Sequence, residues 1–126
     1  MISTKGRYAL RVLIDLAEQD TTTYVPLKEI AKRQGISEKY LQQIVKILVG
    51  KGLLTGISGK GGGYRLTASP EEYNVGEILE LMEGSLTPVA CLAPDTKTCS
   101  RSSHCKTLPM WKKFDNLVHD YFFHIT

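Results

Sequence analysis

Apolar residues near the start of the chain recur at the spacing of one helical face: Ala9, Val12, Leu13, Leu16 and Ala17 stand at i, i+3, i+4, i+7 and i+8. This predicts a first helix beginning after Ser3 or Thr4 with one buried stripe. After the polar break at Thr21 to Thr23, Pro26 can open a second helix that turns Leu27, Ile30 and Ala31 inward and ends at Gly35. Ser37 caps a third helix from about Glu38 to Val49, which buries Leu41, Ile44, Val45 and Leu48 and stops at Gly50 or Gly52. Ala31 leaves room for a close helix crossing, Gly35 can take positive φ in a tight turn, and Leu41 fills the space between the two helices. Together they predict a helix-turn-helix, with a plain helical corner as the alternative.

The period then changes. Leu53 to Ile57 and Tyr64 to Thr67 read as two short strands around a glycine-rich tip, a hairpin that would stand beside the helices as a wing. Gly59, Gly61, Gly62 and Gly63 surround Lys60, so little bulk shields the cation there, which suits a phosphate backbone or a minor groove. A nucleotide-binding loop is the rival. It fails because Lys60 is followed by Gly61 rather than Ser or Thr, and Leu54 stands where the first glycine belongs. Asn74 and Glu77 then form an N-cap and N3 pair for a short helix burying Val75, Ile78, Leu79 and Met82, with Gly84 after its end. Thr107 can cap a last helix, where Trp111, Phe114, Leu117, Val118, Tyr121 and Phe122 crowd one wide side. Such a surface needs a partner, and a symmetric dimer, pairing this helix with its twin and with the first helix, supplies one; burial within the monomer is the alternative. The chain halts at Ile125 and Thr126 in mid-pattern, so truncation, or disorder beyond, is expected.

The fold class expected is therefore mainly α with a small β-hairpin wing: a winged helix-turn-helix followed by a long C-terminal dimerisation helix. Residues 1–84 form the expected DNA-binding domain and residues 85–126 the cysteine loop and dimerisation helix.

Charge sharpens this picture. The 126 residues carry a formal net charge of +3, but residues 1–67 hold +6 and the remainder −3. Basic charge gathered on the helix-turn-helix half favours a polyanion partner. The start of the chain lacks the continuous apolar core of a signal peptide and no stretch approaches membrane-spanning length, so a cytoplasmic protein without a membrane partner is expected. No paired catalytic carboxylates or nucleophile and base arrangement appear, which argues against an enzyme.

Cys91, Cys99 and Cys105 are the three cysteines, all in the polar stretch CLAPDTKTCSRSSHC. An odd count in a reducing compartment argues against a disulfide framework and favours a metal or cluster loop, with a chance surface cluster as the alternative. Tetrahedral zinc held by the three thiols and His104 is a further option.

The segments STKGRYAL, PLKEIAKRQGISEKYLQQIVKIL, GKGGGYRL and VGEILELMEG, followed by three spaced cysteines, cover nearly the whole chain in an order that resembles the Rrf-two family of bacterial winged-helix regulators. The resemblance implies a homodimer that grips double-stranded operator DNA through its third helix and wing, most simply as a repressor. In members with three cysteines in this loop it implies an iron-sulfur cluster, [2Fe-2S] or [4Fe-4S], that tunes DNA binding to iron, redox or nitric oxide status. Carried over by position, it implies that Ser37, Lys39, Tyr40, Gln42 and Gln43 reach base edges, with Gln42 and Gln43 the foremost readers. Lys5, Arg7, Lys46 and Arg65 become phosphate contacts. Many relatives carry arginine where Ser58 stands, which leaves minor-groove contact to Lys60.

The cluster ligands implied are Cys91, Cys99 and Cys105, in the spacing C-x7-C-x5-C rather than the tighter C-x5-C-x5-C common among relatives. Some relatives supply a histidine three residues after the third cysteine, and Leu108 occupies that place here. His104, His119, His124, Asp95 and the partner's copy of the first-helix residue Asp15 remain open as the fourth donor. The alternatives are a zinc-binding structural or interaction module, and a cluster-free member of the family controlled by a partner protein.

Overall fold

The computed structural model describes residues 2–84, Leu86 and residues 107–126. Cys91, Cys99 and Cys105, with Asp95 and His104, lie outside the described residues. The helices are α1 (Thr4–Glu18), α2 (Leu27–Gln34), α3 (Glu38–Gly50), α4 (Val75–Glu83) and α5 (Leu108–Phe122), and the hairpin is β1 (Leu54–Ile57) with β2 (Gly63–Leu66).

Local signals account for most boundaries. Gly35 ends α2 at φ 65°, a left-handed conformation that glycine adopts without steric cost, and its N–H donates to the Ala31 carbonyl. The Ser37 hydroxyl accepts from the Tyr40 N–H at 3.3 Å and starts α3. Pro26 is the N-cap of α2 rather than its first helical residue. Asn74 Oδ1 accepts from the Glu77 N–H at 3.0 Å and caps α4. Thr107 occupies the N-cap position of α5, with Pro109 in its first turn.

A single apolar core joins α1, α2, α3, the wing and α4: Val12, Leu16, Ile30, Leu41, Ile44, Leu48 and Leu54 are each 2% exposed or less. The wing is antiparallel, pairing Leu54 with Leu66 and Gly56 with Tyr64. Its inner strand also bonds to the segment before α2: Val25 and Tyr64 exchange N–H to carbonyl bonds of 2.9 and 2.8 Å. Val25 thus adds a short bridge outside the hairpin. Gly63 lies so close to the Val25 carbonyl that a Cβ would collide with it. The wing is thereby anchored to the body of the helix-turn-helix.

A smaller cluster of Leu79, Leu86 and Val118 carries α5, with Phe122 and Phe123 packed against it. The end of the chain is clasped to α4: Asn74 Nδ2 donates to the Phe123 carbonyl at 2.5 Å, and the Val75 N–H to the Ile125 carbonyl at 2.9 Å. Among the described residues no helix is long and apolar enough to cross a membrane.

Candidate nucleic-acid interface

α3 buries the stripe Leu41, Ile44, Val45 and Leu48, so helical periodicity turns Lys39, Gln42, Gln43 and Lys46 to solvent. Facing Gln42 and Lys46 across a cleft of about 590 Å³ stands the wing. Gln42, Lys46 and Val49 line one wall and Gly56, Ile57, Ser58 and Tyr64 the other. Gly56 permits this arrangement, because a Cβ there would stand 2.8 Å from the Tyr64 ring, which lies across β1. The cleft thus has one amide and one ammonium on the helix side and an uncharged wall on the wing side. Lys60 projects from the exposed tip beyond it. Such a cleft can admit a sugar-phosphate strand while α3 lies in the adjoining groove.

The sequence-predicted residues do not all stand free for this task. Tyr40 is half-buried, its ring edge-on to Tyr8 of α1 with centroids 5.8 Å apart, which ties the start of α3 to α1. Arg65 is folded back: its guanidinium donates to the Thr22 carbonyl at 3.1 Å and lies over the Tyr24 ring at 4.7 Å. Ser37 is exposed, with its hydroxyl engaged in the cap. Lys5 and Arg7 flank the first turn of α1, Lys5 partly covered and Arg7 exposed.

Ile57 and Val49, 49% and 39% exposed, also line this cleft, and the sequence pattern assigns neither a role there. Strand alternation carried a signal for Ile57, since it shares a face with Thr55 and not with the buried Leu54.

Asp15 is corrected outright as an open cluster donor. It is 2% exposed, and both its oxygens are taken: Arg33 Nε and Nη2 donate at 3.0 and 2.7 Å, and Gln34 Nε2 at 2.9 Å. Burial pushes its carboxyl up, but the Arg33 and Gln34 hydrogen bonds and the Arg33 charge outweigh burial and hold it below the usual carboxylate range. Gln34 in turn accepts from Arg11 Nε at 3.1 Å, so the network pins α1 to the last turn of α2, beside the helix-turn-helix corner. His119 Nδ1 lies 2.9 Å from the Asp115 carbonyl and its ring stacks on Phe123. No group of three metal-ligating side chains occurs among the described residues.

The sequence matches the Rrf2 family, described as an iron-dependent transcriptional regulator, over residues 2–126. It is similar to the protein rrf2 of Nitratidesulfovibrio vulgaris, 36% identical over 110 residues that span 87% of this chain and 73% of that protein. Among solved structures it is similar to CymR, the global cysteine regulator of B. subtilis, with a TM-score of 0.76 and 34% identity over 97% of this chain and 88% of that one. IscR of T. potens is comparably near: TM-score 0.75, 33% identity, 100% of this chain and 82% of that one.

Proposed function

The chain belongs to the Rrf2 family of winged-helix, DNA-binding transcriptional regulators, and from that premise we propose that it acts as a homodimeric, cytoplasmic repressor whose grip on operator DNA is set by an iron-sulfur cluster on Cys91, Cys99 and Cys105. Residues 1–84 form the DNA-binding part, and residues 85–126 carry the cluster and the dimer contact. The observation that carries the reading is the cleft between α3 and the wing, with Gln42, Gln43, Lys39 and Lys46 exposed on the helix. Gln42 and Gln43 are the base readers, since an amide can pair with adenine at N6 and N7. Lys39, exposed on the same turn, reaches base edges beside them, and Lys5, Arg7, Lys46 and Lys60 neutralise phosphates. Arg65, Tyr40 and Ser37 act one step behind, holding the wing and the start of α3 in place.

Support for the cofactor comes from the donor set and from the family's description as iron-dependent. Three thiolates are soft ligands of the kind iron-sulfur chemistry uses, and they leave one iron short of a protein donor. With Asp15 engaged elsewhere, the fourth donor would come from His104, His119, His124, Asp95 or an exogenous ligand, and a weakly held one would leave the iron open to small molecules or to the iron pool, which is the chemistry a sensor uses. The dimer contact is α5, whose Met110, Phe114, Leu117 and Tyr121 are 54, 41, 59 and 65% exposed in a spacing of four, three and four residues. That is the seam of a helix pair.

The test is anaerobic purification followed by iron, zinc and sulfide analysis, then operator binding of the loaded and stripped protein. Gln42→Ala is expected to lose about 1–3 kcal/mol of discrimination at one base pair, whereas Lys60→Ala weakens all sequences and lowers the salt slope by about 1. Zinc without sulfide would sink the cluster assignment and leave the DNA reading standing. Indifference to all duplex fragments would sink both.

A further inference from the structure

α1 is not capped by its own sequence. Ser3 holds the N-cap position but makes no local cap bond. Instead Glu83, the last residue of α4, reaches across to it. Glu83 Oε1 accepts from the Ser3 N–H at 2.8 Å, from the Ser3 hydroxyl at 2.8 Å and from the Gly6 N–H at 3.1 Å. Orphan amides at a helix start need an acceptor, and a carboxylate also meets the positive end of the helix dipole. Gly6 makes the approach possible, because a Cβ there would stand 2.5 Å from Oε1. Burial pushes the Glu83 carboxyl up, and the bonds from Ser3 and Gly6 outweigh burial and hold it below the usual carboxylate range.

The position of this clasp in the chain gives it meaning. On one side, Lys5 and Arg7 flank Gly6, and Tyr8 follows with its ring against Tyr40 at the start of α3. On the other, Gly84 ends α4, and Cys91 follows Glu83 by eight positions in the sequence. One carboxylate oxygen therefore joins the exit of α4, which leads to the cysteines, to the turn that bears two of the proposed phosphate contacts.

We propose that Glu83 is a positioning residue that couples the cysteine-bearing stretch to the DNA-facing first turn of α1, the closed clasp being the DNA-binding arrangement. This rests on the cluster-regulated reading above. Coupling of this kind is reciprocal, so DNA must change the affinity for the cluster by the same factor, and in the same direction, as the cluster changes the affinity for DNA.

The experiment uses the full chain, reconstituted anaerobically, and measures operator affinity before and after chelator stripping, the salt slope, and the equilibrium loss of the cluster to a graded chelator with and without DNA. The wild type is expected to show a loaded-to-stripped affinity ratio displaced from one by about 5-fold or more. Glu83→Ala is expected to bring that ratio to about one, to lower the salt slope by about 1 to 2 as Lys5 and Arg7 lose their phosphates, and to abolish the effect of DNA on cluster loss. Glu83→Gln keeps an acceptor oxygen and falls between the two. Gly6→Ala displaces the carboxylate while leaving Glu83 in the sequence, its Cβ also pressing on Leu79 Cδ2 at 3.3 Å, and should reproduce the Glu83→Ala change in ratio and slope. Once Glu83 is already alanine, adding Gly6→Ala should cost no further affinity. Variants that keep the wild-type ratio and slope overturn the proposal, as does a Gly6→Ala penalty of equal size in both backgrounds. A wild-type ratio of one defeats the cluster-regulated reading itself, a result the variants are not needed to recognise.

Discussion

The helix-turn-helix and α5 are built to opposite plans. In the first, α1, α2, α3 and the wing close around Val12, Leu16, Ile30, Leu41, Ile44 and Leu48, and its one deeply buried charge, Asp15, is fully hydrogen-bonded. In α5, Val118 is buried while Met110, Phe114, Leu117 and Tyr121 lie exposed, and among the described residues the helix packs chiefly on α4, in a small cluster that Ile2, Leu10 and Leu86 complete. One region satisfies itself and can present side chains to a ligand from a rigid frame. The other leaves a stripe of apolar surface uncovered, and isolated apolar stripes of that length are the surfaces on which chains assemble. The same residue types therefore mean different things at the two ends of the molecule.

The sharpest way to break the contrast is to remove one side chain from each plan. Leu41 is 0% exposed between the helices of the helix-turn-helix. Leu41→Ala is expected to cost about 3–5 kcal/mol, from lost transfer energy and the cavity left behind, read as a lower urea midpoint at unchanged m. Leu117, 59% exposed, should behave otherwise. Leu117→Ala is expected to leave unfolding of dilute protein within about 0.5 kcal/mol of wild type, while weakening self-association by about tenfold, seen by sedimentation across a concentration series. An equal loss of folding stability at both sites would erase the distinction.

A second probe asks whether the polar joint inside the first region is as self-sufficient as its core. Arg33→Ala strands the Asp15 carboxylate in a site that is 2% exposed. The expected loss is about 3 kcal/mol at neutral pH, the low end for an uncompensated buried charge because the Arg33 side is 37% exposed. The sign with pH is testable. In the wild type the Asp15 carboxyl is held below its unfolded value, so its contribution is full above about pH 4 and fades as pH falls through the folded value. In the variant burial dominates, the folded value rises above the unfolded one, and the penalty grows as pH rises. The gap between the two proteins should thus be widest at neutral pH and close in acid. Thermal melts from pH 3 to 8 decide it.

These two regions also differ in how far the sequence disclosed them. Periodicity placed all five helices and the wing, since Ala9, Val12, Leu13 and Leu16, and then Leu41, Ile44, Val45 and Leu48, repeat at helical spacing and Gly35 sits at the turn between α2 and α3. Caps formed by near neighbours, Ser37 with Tyr40 and Asn74 with Glu77, were equally readable. What escaped were contacts between residues remote in sequence. Val25 pairing with Tyr64, Arg65 folding over Tyr24, Asp15 with Arg33, and Glu83 on Ser3 and Gly6 leave no local pattern. Arg65 consequently looked like a free phosphate contact and Asp15 like an open donor. Gly6 and Gly63 were the faint traces, because each stands where a neighbour approaches too closely for a side chain.

The smallest effect worth measuring lies at the seam between the two plans. Asn74 serves both: its Oδ1 caps α4 by accepting from the Glu77 N–H, and its Nδ2 donates to the Phe123 carbonyl at the end of α5. Asn74→Ser retains a side-chain oxygen suited to the cap but has no group that reaches Phe123. Asn74→Ala loses both. The serine variant is expected to cost about 0.5–1 kcal/mol and the alanine variant about 1 kcal/mol more, the increment being the cap alone. Hydrogen exchange separates the regions directly: with serine, the Val75 N–H, which donates to the Ile125 carbonyl, should lose protection with α5, while the amides of α3 keep theirs. Loss of protection in α3 as well would mean that the two regions open as one unit, and that α5 is a structural support of the helix-turn-helix rather than a surface held out for assembly.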